Sequence, residues 1–144
     1  MLTVKLVCVG TLKEKYWRDA CAEYEKRLSA FCKFQTVALP ESTLSKEKDA
    51  ILKECEGFVV ALCVEGSPMS SEELAEKIAR VSQISSKITF VIGSSCGLDP
   101  AVKERADLKL SFSSFTFPHQ MMRVILLEQI YRAFTIQRNM TYHK

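Results

Sequence analysis

Short β-prone runs alternate with helical segments along the whole chain, and this alternation limits the fold more than any other feature of the sequence. Five runs are rich in apolar and β-branched residues, and a segment with helical character follows each of them. The predicted strands are 2–10, 33–39, 58–64, 87–93 and 107–112. The predicted helices are 13–31, 42–57, one that begins at Ser70 or Ser71, one that Asp99 caps ahead of Pro100, and one from Pro118 to about Arg138. This order indicates an α/β protein, a mostly parallel sheet with helices on both faces in an α/β/α arrangement.

The chain of 144 residues has the size of one domain. It contains no repeat, linker or low-complexity tract, so residues 1–144 are predicted to form a single domain. No apolar run is long enough to cross a membrane, and the N-terminus lacks the pattern of a secretory signal peptide. We therefore expect a cytoplasmic protein with no membrane partner.

The six cysteines do not form a CxxC pair, and the chain has only two histidines, which argues against a metal site. Most of the cysteines, such as Cys8 and Cys63, lie within apolar patterns. They are predicted to be small buried hydrophobic residues in a reducing compartment.

The positive charge of the chain is concentrated near its C-terminus. The net charge is only +3, but residues 101–144 contain seven Lys or Arg residues against three Asp or Glu. This segment could meet an anionic partner, or it could be a solvated surface that binds nothing.

The last predicted helix is apolar around more than half of its circumference between Met121 and Ile136. Such a helix must be buried on more than one side, and the sheet can cover only one of them. A second subunit is the simplest cover for the other side, so the sequence predicts a homodimer through this helix.

Three predicted strands end in small, polar segments that could form a ligand pocket. "CVEGSP" follows the strand 58–64, "GSSCGLD" follows 87–93, and "SSFTFP" follows 107–112. In parallel α/β sheets, ligands bind beyond the C-terminal ends of the strands. The Gly pattern matches neither a P-loop nor a dinucleotide fingerprint, and Gly93 and Gly97 could simply be turn residues.

Protein nucleophiles and paired carboxylates have no clear signature in these segments. No Ser stands in a G-x-S-x-G elbow, although a Ser or Cys acting with His119 remains possible. The pattern favours a pocket that positions a reactive ligand by main-chain hydrogen bonds.

Four segments together resemble a known family. They are "VKLVCVGTLKEKYWRDACAEYEKRL", "FVIGSSCGLD", "LSFSSFTFPHQMMRVILLEQIYRAF" and the terminal "YHK". They resemble the bacterial ribosomal RNA large-subunit methyltransferase H family, a small single-domain branch of the SPOUT (trefoil-knot) methyltransferases. The resemblance covers essentially the whole chain. It implies a deep C-terminal trefoil knot, obligate homodimerisation and S-adenosylmethionine as the methyl donor. The implied reaction is methylation of N3 of a pseudouridine in a 23S rRNA stem-loop at the subunit interface of the assembled ribosome.

The resemblance also assigns cofactor-binding positions. Leu62 would line the adenine side of the pocket, and Gly93 would let the cofactor lie close to the backbone. The loop that wraps the cofactor would be Phe112, Ser113, Ser114, Phe115, Thr116 and Phe117. This chain departs from the family at Ser94, where a second Gly is usual, and at Cys96, where Asn, Glu or Asp is commoner. The region around "ESTLSKEKDA" is shorter than in many relatives.

Methyl transfer to a ring nitrogen that carries a proton requires a base or a water-mediated route. The candidates are His119, Tyr142 and His143, and the tail of one subunit could complete the site of the other. The predicted contacts to RNA phosphates are Arg123, Arg132, Arg138 and Lys144. Simpler interpretations stay open: His119 could cap its helix, the tail could be a frayed end, and Arg132 could form an intersubunit salt bridge. A non-catalytic ribosome-binding factor on the same fold is the alternative function.

Overall fold

A five-stranded parallel sheet forms the centre of the computed structural model, which describes residues 1–144. In chain order the elements are β1 (Thr3–Val9), α1 (Lys15–Leu28), β2 (Lys33–Leu39), α2 (Leu44–Glu54), β3 (Phe58–Pro68), α3 (Ser71–Ile84), β4 (Lys87–Ile92), α4 (Pro100–Arg105), β5 (Leu108–Ser111) and α5 (His119–Gln137). The strand order is β2-β1-β4-β3-β5, and all neighbours pair in parallel. The predicted α/β class with a parallel sheet is therefore confirmed, whereas the trefoil knot stays a prediction.

The helices cover both faces of the sheet. One core cluster joins the sheet to α1, α3 and α5, and a smaller cluster joins the other face to α2 and α4. The strands β1 and β4 lie at the centre and are almost entirely buried, as expected for strands covered on both faces.

Local capping signals explain most of the helix starts. The Ser70 side chain accepts a hydrogen bond from the Glu73 amide while the Glu73 carboxylate accepts one from the Ser70 amide, so Ser70 is the N-cap of α3. Asp99 caps α4 with Pro100 as its first residue, as predicted. The helix predicted over 42–57 is shorter, because Thr43 caps its start and the chain leaves the helix after Glu54.

The strand predicted over 58–64 instead continues to Pro68. A bulge shifts the register between Leu62 and Ser67, after which Ser67 and Pro68 pair again with β5. Gly66 allows this close approach, because a Cβ there would lie 2.7 Å from the carbonyl carbon of Lys109.

The helix α5 has no fully exposed residue from His119 to Ile136. It packs against α1 and α3, and the C-terminal residues fold back over part of it. Met121, Val124 and Ile125 remain half-buried. Elements of the same chain thus cover more of this helix than the sequence indicates, and the homodimer stays a prediction.

No helix in the structure combines the length and the apolar character needed to cross a membrane. No group of three or more His, Cys, Asp or Glu side chains comes close enough together to hold a metal ion.

Candidate functional site

The C-terminal ends of β3, β4 and β5 surround a cavity of about 430 Å³. This volume is within the range of pockets that bind small molecules. Seven of the predicted cofactor-binding residues line it: Leu62, Gly93, Phe112, Ser113, Phe115, Thr116 and Phe117. The eighth, Ser114, is exposed and does not line the cavity. The parallel sheet therefore brings the three segments together at one edge, as the sequence predicts.

The loop between β5 and α5 is shaped by its hydroxyl residues. The Ser111 hydroxyl donates to the carbonyl of Ser113 at 3.2 Å, and the Ser113 hydroxyl accepts from the amide of Phe115 at 3.1 Å. Such local bonds stabilise sharp turns. Phe117 is half-buried against the cavity, whereas Phe115 is 77% exposed and contacts Phe117 edge-on.

Gly93 is required by its own loop. A Cβ on Gly93 would lie 2.5 Å from the carbonyl oxygen of Gly97 and 2.9 Å from a side-chain carbon of Leu98. Gly97 has φ of +82° and donates a 2.9 Å backbone hydrogen bond to Ser94. The tight turn of 93–98 is thus one reason why residue 93 must be Gly. The ligand-facing role that the resemblance implies for Gly93 is supported by its position in the cavity wall.

A buried carboxylate on α2 anchors the same loop by a hydrogen bond. Glu47, which is only 4% exposed, accepts a 3.0 Å hydrogen bond from the Ser94 hydroxyl and a 2.9 Å bond from the Ser42 amide. The Ser94 oxygen also accepts from the Cys96 amide at 3.3 Å. Ser94, which stands where the family usually has a second Gly, is therefore anchored in the interior. Sequence reasoning missed Glu47, because its partner Ser94 lies 47 positions away.

His119 is the one predicted base that lines the cavity. It is the first residue of α5, and its side chain does not cap the helix, because Pro118 occupies the cap position and no side-chain cap bond forms. Its Nε2 atom lies close to Gly10, 3.6 Å from the point where a Cβ on that residue would be. This places the imidazole between the loop after β1 and the cavity.

Arg123 is not available to an RNA phosphate in this conformation. The residue is 4% exposed, and its guanidinium donates to the carbonyl oxygens of Val9, at 3.5 Å, and of Gly10. It therefore fastens the loop after β1 to α5, and its predicted contact with an RNA phosphate would require this contact to open. No sequence signal points to the two carbonyls that this cation meets.

The other two predicted bases lie outside the cavity, on the surface of α5. The Tyr142 hydroxyl donates to Glu128 at 2.7 Å. The His143 ring contacts Arg132 through Nδ1 at 3.0 Å and Glu72 through Nε2 at 2.7 Å. Burial and the hydrogen bond to Glu128 raise the pKa of Tyr142 far above its usual range, so its phenol is neutral. Within one chain, the fold does not bring these two residues to the cavity.

The remaining predicted RNA contacts, Arg132, Arg138 and Lys144, differ in their surroundings. Arg132 pairs with Glu128 of its own helix at 2.8 Å, so the intersubunit salt bridge considered above is not needed to explain it. Arg138 is exposed and lies over the ring of Phe31, and Lys144 is exposed at the C-terminus. These two cations are accessible to a polyanion.

The chemistry of the cavity wall indicates which ligands fit. Most of the wall is apolar or hydroxylic, and its titratable residues are Cys63, Glu65, Lys103 and His119. The Lys103 ammonium already pairs with Glu65, so the wall offers no cluster of cations for a polyphosphate. A neutral aromatic base with a compact polar tail suits such a wall, and an adenosyl sulfonium has that character.

A nucleophilic mechanism finds no support in this geometry. Burial raises the pKa of the Cys63 thiol, which keeps it protonated and weakly nucleophilic. Cys96 is exposed and does not line the cavity, and no Ser or Cys forms a hydrogen bond with His119.

Comparison with known proteins identifies the family of the chain. Residues 2–143 match the family model described as "Predicted SPOUT methyltransferase". Fold, strand-end cavity and family match together define a methyltransferase of the SPOUT class.

Sequences that are similar over the whole chain identify a particular family within the SPOUT class. The chain is 45% identical to "Ribosomal RNA large subunit methyltransferase H" of Limosilactobacillus reuteri (strain DSM 20016), with 99% of this chain and 100% of that protein aligned. It is 48% identical to the protein of the same name from Bifidobacterium animalis subsp. lactis, with the same coverage. The chain belongs to this family, the ribosomal RNA large subunit methyltransferase H proteins. Both alignments span 159 positions, more than the 144 residues here, so this chain lacks residues that its relatives have.

Solved structures of low sequence identity share the fold. A probable methylase family protein from Haemophilus influenzae Rd KW20 aligns with a TM-score of 0.59 at 14% identity, over 98% of this chain and 70% of that one. TrmJ from Z. mobilis ZM4 aligns with a TM-score of 0.53 at 13% identity, over 94% and 70%.

Proposed function

We propose that this protein uses S-adenosylmethionine to methylate N3 of a pseudouridine in a 23S rRNA stem-loop at the subunit interface of the assembled ribosome. The observation that carries the proposal is the strand-end cavity, whose wall contains seven of the eight residues that the family resemblance assigns to the cofactor. The name of the relatives supports large-subunit ribosomal RNA as the substrate class. The position of the methylated atom follows from the resemblance.

The wall of the cavity suits the proposed cofactor. Leu62, Phe112 and Phe117 provide apolar contacts for an adenine ring, and the turns at 93–98 and 111–117 present main-chain groups. When bound, S-adenosylmethionine supplies a methyl group activated by a sulfonium. The contribution of the chain is to hold that group in line with the acceptor and to exclude water, which can account for much of the rate of a transfer reaction.

A proton must leave the acceptor nitrogen for the reaction to balance. The carbon–sulfur bond breaks as the carbon–nitrogen bond forms, and the N3 proton passes to a base. Of the three candidates, His119 is the one that lines the cavity of its own chain, so we assign the proton to its imidazole. Tyr142 and His143 could act only from a neighbouring subunit or after the tail moves, because each is hydrogen-bonded on α5.

Binding to the ribosome requires a cationic surface and a defined shape. Arg138 and Lys144 are exposed and are proposed to contact phosphates. A domain of this size has little surface for reading an RNA sequence, so the shape of the assembled ribosome is proposed to supply specificity. We further propose that the protein acts in the cytoplasm as a homodimer. The half-buried apolar residues on α5 (Met121, Val124 and Ile125) support the dimer.

The decisive experiment compares ribosomal RNA from cells with and without this protein by mass spectrometry. We expect one methylated pseudouridine to disappear from 23S rRNA and to return when the gene is restored. Purified protein with labelled S-adenosylmethionine should modify assembled ribosomes and not the isolated stem-loop. A protein that binds ribosomes but neither binds nor consumes the cofactor would instead be a non-catalytic ribosome-binding factor.

A further inference from the structure

One ion pair lies on the wall of the cavity. The Lys103 ammonium on α4 contacts the Glu65 carboxylate in the bulged part of β3. Among the residues that line the cavity, Glu65 is the only carboxylate and Lys103 the only Lys or Arg. The wall therefore presents one negative and one positive charge side by side in surroundings that are otherwise mostly apolar or hydroxylic.

The fold gives each member of the pair a separate support. The register shift between Leu62 and Ser67 turns Glu65 out of the sheet ladder. Lys103 lies in α4, whose start is fixed by the Asp99 cap. The two residues are 38 positions apart in sequence and belong to two of the segments that surround the cavity.

The pair is charged and easily opened. The hydrogen bond from Lys103 lowers the pKa of Glu65, and the same bond raises the pKa of Lys103, so both groups are ionised at neutral pH. Their side chains are 57% and 30% exposed. Exposed ion pairs contribute little to stability, so a ligand that satisfies both charges can replace the contact at low cost.

The charges match one chemical group in particular. The α-amino-acid end of an adenosyl thioether or sulfonium carries a carboxylate and an ammonium on the same carbon. Such a zwitterion can accept from a Lys ammonium and donate to a carboxylate at once, and each contact is a charge-assisted hydrogen bond.

We propose that Glu65 and Lys103 form the subsite for the zwitterionic amino-acid end of the methyl donor, with Lys103 binding its carboxylate and Glu65 its ammonium. The inference rests on the proposed function, because it presupposes that the adenosyl ligand occupies this cavity. It assigns to the pair a role in binding that a salt bridge between β3 and α4 would not have.

The test compares two ligands that differ only in that end. S-adenosylhomocysteine carries the amino acid, whereas 5′-methylthioadenosine is a similar adenosyl thioether without it. Calorimetry should show that Lys103→Met weakens S-adenosylhomocysteine roughly ten- to a hundredfold, the range for a hydrogen bond to a charged group. The same variant should leave methylthioadenosine within about twofold, which also shows that the cavity is intact. Lys109→Met, an exposed lysine that does not line the cavity, is the matched control and should change neither.

The acidic half of the subsite is tested with decarboxylated S-adenosylmethionine, which keeps the ammonium and lacks the carboxylate. Glu65→Gln should weaken this ligand roughly tenfold and leave methylthioadenosine unchanged. Glu104→Gln, on the same helix as Lys103 and exposed, is its control.

The outcomes separate the subsite from the proposed function. If either variant leaves its charged ligand unaffected, or weakens methylthioadenosine equally, the subsite is refuted while the methyltransferase proposal stands. If the unaltered protein binds none of the adenosyl ligands, the proposed function fails, and the subsite fails with it.

Discussion

The hydroxyl of Ser94 donates a 3.0 Å hydrogen bond to the buried carboxylate of Glu47, which links the loop of the cavity to the first turn of α2. No salt bridge accompanies this carboxylate. Its partners are the Ser94 hydroxyl and the Ser42 amide. The stability of the cavity loop therefore depends on a polar contact with the opposite side of the sheet from α5.

Removing this carboxylate should destabilise the protein. Glu47→Ala leaves the Ser94 hydroxyl and the Ser42 amide without their acceptor, so the free energy of unfolding should fall by about 1–3 kcal/mol. Urea denaturation measures the change. Asp49→Ala on the same helix is a suitable comparison, since its carboxylate is exposed and contacts only the neighbouring Lys48, so it should cost less. An unfolding free energy for Glu47→Ala within about 0.5 kcal/mol of the unaltered protein would contradict this account.

Replacing His119 should affect the chemical step and spare cofactor binding. His119→Asn keeps a polar side chain at the start of α5 but removes the proton acceptor, so kcat for ribosome methylation should fall by about 10²- to 10⁴-fold. Calorimetry should show S-adenosylhomocysteine binding within about twofold of normal. The comparison variant is His143→Asn, which lies outside the cavity of its own chain. A larger loss of kcat with His143→Asn than with His119→Asn would instead indicate that the base lies in the C-terminal tail.

Two arginines of the C-terminal region should behave differently, although the sequence places them in one group. Arg123→Met should lower the unfolding free energy by about 1–3 kcal/mol, because the carbonyls of Val9 and Gly10 lose a charged donor. Arg138→Gln should leave stability within about 0.5 kcal/mol. It should weaken ribosome binding and reduce the dependence of that binding on salt. Denaturation and binding assays at several salt concentrations would separate the roles, and similar salt effects for both variants would refute the assignment.

Alkaline pH should destabilise the fold through two buried thiols. Burial raises the pKa of Cys21 and of Cys32 from 9.0 to about 11, so the folded protein holds protons that the unfolded chain releases. The stability they provide is complete below pH 9 and is lost as the pH rises towards 11. Between pH 8.5 and pH 10.5 each thiol should cost about 1–2 kcal/mol of unfolding free energy.

Urea denaturation at the two pH values measures this loss. Cys21→Ala and Cys32→Ala lower stability at both pH values by removing packed atoms, but each should reduce the difference between them. Cys96→Ala is the control, because that residue is exposed and should leave the difference unchanged. An equal pH dependence in all four proteins would contradict the prediction.

Much of the fold could be predicted, because the elements differ locally in composition. The strand 33–39 agrees with the structure, and Asp99 with Pro100 marks the start of α4 as expected. The cavity could also be placed, because parallel strands bring their C-terminal ends to one edge of the sheet. These features depend on short stretches of sequence and on one general property of α/β sheets.

What could not be predicted depends on contacts between distant residues. The stretch "EGSP" has the composition of a turn, and only pairing with β5 makes Ser67 and Pro68 part of a strand. Arg123 is a residue type that usually lies at the protein surface. Its burial depends on hydrogen bonds to the carbonyl oxygens of Val9 and Gly10. Glu47 could not be linked to Ser94 from the sequence, because no local pattern connects them.

The C-terminal tail is attached to the body of the protein by side chains alone. Residues 141–144 form no backbone hydrogen bond, and the attachment runs through Tyr142 and His143 to Glu128, Arg132 and Glu72. These last residues can therefore detach while every strand and helix stays folded. Any RNA phosphate that binds Arg132 competes directly with Glu128 and with the His143 ring, which helps to keep the tail docked.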